Sequence, residues 1–344
     1  MNGAARSLRS SGSGDGAPDM LYQYLAPLRQ FLVRGDVTEV CVNRPGEVWT
    51  EGAAGWVRHV EPELTFEVCL QLARLVANFN QKSIDIERPV LSAALIYGER
   101  AQIMIPPACE KDTVSITVRK PGLLDKSLDE LDAEGVFSGC AAVDDRLTAL
   151  ERELLALKDR NVRDFLDAAV RGRRNILIVG KTGSGKTTLT RSLIRSIHAD
   201  ERLVTIEDVH ELFLHHHANK VHLFYAREDE GGSTVSAKQA LAACLRMKPD
   251  RILLAELRGD EAWEFVKSVN TGHPGSITTM HANGAFEAFE QLTALIKDSR
   301  TGAHLDTDYI KHRLFTTIDV ILFCDQHRLR EIYYDPERKR QQMA

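Results

Sequence analysis

Short apolar runs separated by Pro and Gly mark the first third of the chain. Thr38–Asn43, Glu47–Thr50 and Trp56–Val60 predict three strands, with turns at Arg44-Pro45-Gly46 and Ala53-Ala54-Gly55. Ahead of them, Leu21–Val33 predicts a short helix started or interrupted at Pro27. Thr65 is placed to cap a second helix, in which Phe66, Leu70, Ala73 and Val76/Ala77 fall near one face. Arg100–Ile105 and Thr113–Arg119 add two more strands. Together these elements predict a small α+β domain over residues 19–119.

Lys120-Pro121-Gly122 ends that pattern. Residues 120–160 are acidic, broken by Gly135 and Gly139 and partly helical, and read as an interdomain linker. Beyond it the rhythm changes. Val162, Phe165, Leu166 and Ala169 share a helical face. Asn175–Val179, Leu203–Ile206, Val221–Tyr225, Arg251–Ala255 and Ser276–Met280 are short strands, most of them continuously apolar. Helices are predicted between them, including Ser236–Met247, where Ser236 and Gln239 have capping-box spacing, and Asp260–Asn270. Unbroken apolar strands alternating with helices predict a mostly parallel sheet covered on both faces, over residues 161–334. Ile318–Cys324 and Arg330–Tyr334 predict a terminal hairpin, and residues 335–344 read as a solvated, charged tail.

Composition narrows the classes without choosing one. Hydrophobic residues make up 43% and charged residues 27%, as in ordinary globular chains. A formal net charge of −5 gives no strong nucleic-acid signal. No apolar run approaches the roughly 20 residues of a membrane helix. Residues 1–18, rich in Ser, Gly and Ala, lack the apolar stretch of a secretory signal and read as a flexible tail. The cysteines at 41, 69, 109, 140, 244 and 324 form no Cys-x-x-Cys pair, which fits the reducing cytosol better than a zinc or disulfide framework.

The chemistry begins at Gly180-Lys181-Thr182-Gly183-Ser184-Gly185-Lys186-Thr187, a complete G-x-x-x-x-G-K-[ST] loop followed by Thr188. Its glycines let successive backbone N–H groups turn inward on phosphate oxygens, and the following helix adds its positive end. Lys186 would sit on the β- and γ-phosphates and Thr187 on Mg²⁺. The loop lies between an apolar strand and a helix carrying Leu189, Leu193, Ile194 and Ile197, the setting such a loop requires.

Hydrolysis also needs a group that orients or deprotonates water. Ile252-Leu-Leu-Ala-Glu256 is an apolar strand ending in a carboxylate, and the carboxyl ends of parallel strands face the ligand crevice. Seventy positions separate Lys186 from Glu256, an arrangement that resembles RecA-like ATPases with a glutamate base. Asn219-Lys220 is followed by Val221 and His222, so a GTPase base reader is not formed. Glu207, at the end of Val204-Thr-Ile-Glu, could hold Mg²⁺ through water if its strand adjoins the loop strand; an acidic loop after a strand is the alternative. His273 and His281 flank the strand Ser276–Met280, and a histidine at a strand's carboxyl end can sense phosphate. His215-His216-His217 cannot easily converge on a metal, because neighbouring strand residues point to opposite faces.

Four segments stand in one order: the loop at 180–187, Glu207-Asp208, Ala255-Glu256-Leu-Arg258, and Gly272-His-Pro-Gly with His281-Ala-Asn. Together they resemble the Walker A, Asp-box, Walker B and His-box segments of the secretion-superfamily traffic ATPases, hexameric motors of type II secretion, type IV pili and type IV secretion. The resemblance spans roughly residues 20–330. Absent Cys-x-x-Cys pairs and a short N-terminal domain make the chain look most like the type IV secretion ATPases. Gly98-Glu-Arg100 and Ile116-Thr-Val-Arg119-Lys-Pro121 resemble N-domain segments whose arginines reach nucleotide phosphates. Ala255 stands where Gly is usual. The resemblance implies a RecA-like P-loop domain joined to a smaller α+β domain, ATP and Mg²⁺ as cofactors, and a homo-oligomer of six at the cytoplasmic face of the inner membrane beside other secretion subunits. It also implies catalytic roles for Lys186, Glu207, Glu256, Arg100, Arg119 and His273. Arg246 or Arg258 is a candidate for a subunit interface, by position beside the site and by the family resemblance.

Overall fold

Two sheets organise the chain. The structure is a computed structural model and describes residues 16–122, 126–142, 145–226 and 235–343. Most of the tail expected at residues 1–18 lies outside the described residues.

In the N-terminal part, α1 (Gly16–Leu32) is followed by β1 (Val37–Val42), β2 (Glu47–Gly52), β3 (Gly55–Val60), α2 (Phe66–Phe79), β4 (Val90–Ala94), β5 (Arg100–Met104) and β6 (Ser115–Arg119). The six strands form one antiparallel sheet, in the order β3-β2-β1-β6-β5-β4. Helix α1 runs through Pro27, and Leu21, Leu25, Leu28 and Phe31 bury one stripe against a core shared with Leu72, Val76 and the sheet. Thr65 caps α2 by accepting from the Val68 N–H. Strand β4 is not predicted by the pattern: its Ser92-Ala93-Ala94 half carries little β signal, and it pairs at the sheet edge with β5.

Past α3 (Leu128–Ala133) come α4 (Ala149–Arg160) and α5 (Val162–Arg171). Helix α4 falls inside the stretch read as linker, yet Leu154 is fully buried beside Phe165 and Ile178. The second sheet is built from β7 (Ile176–Val179), α6 (Lys186–Ile194), β8 (Leu203–Glu207), β9 (Lys220–Phe224), α7 (Ala237–Cys244), β10 (Arg251–Leu254), α8 (Glu261–Val269), β11 (Ile277–Met280), α9 (Glu287–Asp298), α10 (Thr307–Thr317), β12 (Val320–Asp325), β13 (Arg328–Tyr334) and α11 (Pro336–Met343). Its strand order is β13-β12-β7-β11-β10-β8-β9, parallel throughout except for the final β12–β13 hairpin.

Alternation within each strand explains why the strands are apolar from end to end. Ile176, Ile178, Leu253, Ile277 and Leu322 face one core with α4, α5 and α6. Leu177, Val179, Ile252, Leu254 and Met280 face the other with α7, α8, α9 and α10. This is the doubly covered parallel sheet that the pattern predicts. The charged segment after β13 is helical and tied back to the sheet domain by Lys339–Asp319 at 2.6 Å and Arg340–Glu151 at 2.7 Å.

The two parts meet along edge strand β9 and at the amino edge of the larger sheet. Phe224 donates its N–H to Ala108 O at 3.0 Å, which extends edge strand β9 toward the N-terminal part. At the amino edge, Arg202 is fully buried and spans both parts. Its guanidinium donates to Asn43 Oδ1 (2.7 Å), Asn219 Oδ1 (2.6 Å) and Met247 O (2.9 Å), and it lies over the Trp56 ring. These acceptors are neutral, so the charge is met by hydrogen bonds and by the ring. Arg202→Ala should therefore cost on the order of 3 kcal/mol by leaving buried amides unmatched. Urea unfolding measures this, and a transition midpoint equal to wild type would show that the anchor is dispensable.

Candidate active site

Strand β7 delivers the chain to the phosphate loop, and α6 leaves it. Gly180 approaches the neighbouring β12 so closely that a Cβ would stand 2.2 Å from Cys324 O. Gly185 caps α6 at φ +99, in the left-handed region that other residues rarely adopt. The hairpin turn after β12 supports the loop from outside, with His327 N–H donating to Ser184 O at 3.1 Å. Lys186 Nζ donates to the carbonyls of Gly180 (2.7 Å) and Lys181 (3.0 Å), which holds the ammonium within the loop. Partial burial lowers its pKa, and Glu256 is the main charge acting against that shift. Lys181, Thr182, Gly183 and Thr188 are exposed, and Ser184 is buried. A surface cleft of about 290 Å³ opens beside the loop between Lys181, His281 and Asn283.

Glu256 follows β10, one strand removed from β7, and lies at the same edge as the loop. The strand between them is β11, and His281 is the first residue past its end. His281 joins the two: its Nε2 is 2.8 Å from Glu256 Oε1 and its Nδ1 is 3.2 Å from Gly180 O. Both neighbours are oxygen atoms, and the imidazole bridges the loop to the carboxylate. Arg258 closes the other side. It donates Nε to Glu256 Oε2 at 2.7 Å and Nη1 to Asp208 Oδ2 at 3.0 Å.

Glu207 does not take the place expected of it. Strands β10 and β11 lie between β8 and the loop strand, which sets β8 about 14 Å across the sheet at ordinary strand spacing. Its carboxylate also holds local structure: Oε2 accepts the N–H groups of Glu211 and Leu212, both at 2.7 Å, and Oε1 accepts Thr205 Oγ1 at 2.6 Å. Glu207 thus shapes the turn 208–212, and that turn brings Glu211 back to the loop. Thr187 Oγ1 donates to Glu211 Oε2 at 3.3 Å, and Arg191 Nε donates to Glu211 O at 2.7 Å. Glu211 was missed because it sits in a loop four residues past the strand end.

Three further expectations are corrected by the parallel direction of the strands. His273 precedes β11 and so lies at the amino edge, where its Nδ1 is 3.1 Å from Pro249 O and burial lowers its pKa. Arg100 and Arg119 line a cleft of about 390 Å³ with Glu39, Arg246, Lys248 and His273. That cleft opens at the amino edge, across the four-residue strands from Gly180, a separation of about 13 Å or more. Neither arginine reaches the phosphate loop of its own chain. Arg119 lies 3.4 Å from Glu39, a buried carboxyl whose pKa burial pushes up to about 7. His217 is buried against Ile197 O while His215 and His216 are exposed, so that triplet does not converge on a metal.

Residues 141–332 match the family described as Type II/IV secretion system protein. The type IV secretion system protein VirB11 of Brucella suis biovar 1 is 44% identical over 327 residues, covering 92% of this chain and 91% of that protein. VirB11 of Bartonella quintana is 42% identical over 332 residues, covering 92% and 93%. The type IV secretion system protein PtlH of Bordetella pertussis is 41% identical over 321 residues, covering 91% and 93%. Among solved structures, the VirB11 ATPase from the Brucella suis type IV secretion system in complex with sulphate superposes with a TM-score of 0.88 at 43% identity, over 93% of this chain and 99% of that one. Fold, loop, strand-end glutamate and relatives agree, and the chain belongs to the type II/IV secretion family, on its type IV secretion branch.

Proposed function

We propose that this chain is the ATP-hydrolysing subunit of a bacterial type IV secretion system, working with Mg²⁺ in a ring of six. The observation that carries this reading is the chain of contacts from Gly180 O through His281 to the Glu256 carboxylate, beside a lysine held in the phosphate loop. The inward backbone and Lys186 would bind the triphosphate. Glu256 would orient the attacking water and draw its proton as the bond to the γ-phosphorus forms, with ADP leaving. His281 would position Glu256 against the loop, and Arg258 would hold the carboxylate's other oxygen.

Thr187 and Glu211 present two hard oxygen donors to one another, a set that suits Mg²⁺. Bound there, the ion would neutralise charge on the β- and γ-phosphates. Glu207 serves this pair indirectly, by holding the turn that carries Glu211.

Arg100 and Arg119 can act on phosphate only if another subunit's loop is brought to their cleft, so in a ring they would serve a neighbour. Among the described residues no helix is long and apolar enough to cross a membrane.

Lys186→Ala should lower turnover by about 10²-fold or more by removing charge from the transition state. Glu256→Gln should retain nucleotide affinity and hydrolyse about 10²-fold more slowly; wild-type phosphate release by either variant would sink the site. Glu211→Gln should raise the Mg²⁺ concentration for half-maximal activity by about 10-fold, as loss of an outer ligand does. Glu207→Gln should instead lower the unfolding midpoint, and the reverse pattern in a Mg²⁺ titration would restore Glu207 to the metal. If Arg119 serves a neighbour, Arg119→Ala and Lys186→Ala subunits mixed before assembly should recover about a quarter of the sites. No recovery in mixed rings of confirmed mass, near six times 38.4 kDa, would place Arg119 in its own site or in none.

A further inference from the structure

We propose that Glu207, His210 and His222 form a binding site for a borderline transition-metal cation of the Zn²⁺ class, separate from the nucleotide's Mg²⁺. Strands β8 and β9 pair in parallel, which places His222 opposite Thr205 and beside Glu207, and the turn after β8 folds His210 over them. One ligand atom from each of the three lies within 4.8 Å of the other two.

Three features distinguish this cluster from ordinary packing. The first is spacing. Glu207 Oε1 and His222 Nδ1 are 3.3 Å apart, long for a charge-assisted hydrogen bond. Two ligands about 2.05 Å from a tetrahedral zinc are separated by about 3.3 Å. The second is an unmatched group: His210 Nε2 is buried and has no hydrogen-bond partner. A buried ring nitrogen without a partner is a cost that a metal bond removes. The third is the surrounding support. Thr205 Oγ1 lies 2.6 Å from Glu207 Oε1 and 2.9 Å from His222 Nδ1, while two backbone N–H groups fix Glu207 Oε2. Ligands oriented this way are the mark of a prepared metal site. Two imidazoles and one carboxylate select zinc or its neighbours over magnesium. Binding would displace any proton on His222 Nδ1 to solvent, leaving the Thr205 hydroxyl to donate to Glu207.

The rival reading is an aromatic stack. His210 lies 4.7 Å from Phe213, 4.5 Å from His222 and 5.4 Å from Phe224, centroid to centroid. The experiment separates the two. The full chain, stripped with chelator and free of nucleotide and Mg²⁺, is titrated with Co²⁺ and followed by its visible ligand-field absorption; Zn²⁺ then competes. One Co²⁺ should bind per chain. His210→Phe keeps the stack and removes a ligand, so it should weaken binding more than about 10-fold while the thermal midpoint in chelator stays at the wild-type value. His210→Gln gives a second variant should the phenylalanine not fold. The paired variant His215→Ala/His216→Ala should bind as wild type. Absence of a stoichiometric band, a band unchanged in both His210 variants, or a band lost only in the His215/His216 variant would each overturn the site. Because the readout uses neither nucleotide nor turnover, it stands or falls apart from the ATPase reading.

Discussion

Parallel register is the constraint on which the site depends. Val179 pairs with Met280, and Leu254 pairs with Thr278, so β7, β11 and β10 end within a residue or two of one another. Gly180 and His281 directly follow the first two ends, and Glu256 follows the third after Ala255. No loop has to reach far to bring a phosphate cradle, an imidazole and a carboxylate together; the hydrogen-bond ladder does so. Staggering β11 by one residue would turn Met280 and Thr279 to opposite faces of the sheet. Burial on both faces resists that slip, because Ile277 and Met280 belong to different cores.

The same register explains what was legible in the residues and what was not. Continuous apolar strands announced a covered parallel sheet, and the full phosphate-loop motif announced its own conformation. Glu256 could be placed because it directly follows an apolar strand. Glu207 also follows one, and here local pattern misled: nothing in Val204-Thr-Ile-Glu says that β10 and β11 lie between it and the loop. Spatial strand order is a property of the whole chain. The choice of His273 over His281 was open to correction from sequence, since in a parallel sheet the residue after the strand shares the loop's edge and the residue before it does not. Helices α9 and α10 lie beyond the elements that the pattern predicts. The hydrophobic stripe of α9 is clear in the structure, with Ala288, Phe289, Leu292 and Ile296 buried, but α10 buries little beyond Ile310, Leu314 and its last threonines.

The two edges of the sheet carry different kinds of polar chemistry. At the carboxyl edge, Lys186, Arg258 and Glu256 are partly open to solvent, as groups that meet a ligand must be. At the amino edge, beside the open cleft lined by Arg100 and Arg119, a second set of charges is sealed. Arg251 is nearly fully buried, with a paired contact to Glu201 at 2.8 Å through each of two nitrogens, and Arg202 is locked among amides. Asn175 accepts from Gly275 and Ser276 and donates to Thr317 O, stapling the starts of β7, β11 and β12. Breaking a buried charged network is far costlier than breaking a surface pair. The amino edge is therefore the rigid side, and the N-terminal part is fastened to it.

This division bears on how a motor of this design would move. A nucleotide at one edge and a domain anchored at the other are separated by strands of four or five residues that do not deform easily. Displacement is then more economically carried by rigid bodies than by changes within the sheet, with the buried Arg202 cluster as the contact that holds or yields. The turn at 208–212 is the exception on the ligand side. It hangs from one carboxylate, Glu207, and carries Glu211 to Thr187 and Asp208 to Arg258. A group that shifts this turn would alter the surroundings of both the hydroxyl proposed for Mg²⁺ and the guanidinium beside Glu256. Glu207 is, in the fold, the hinge pin of the segment that carries Glu211 to Thr187.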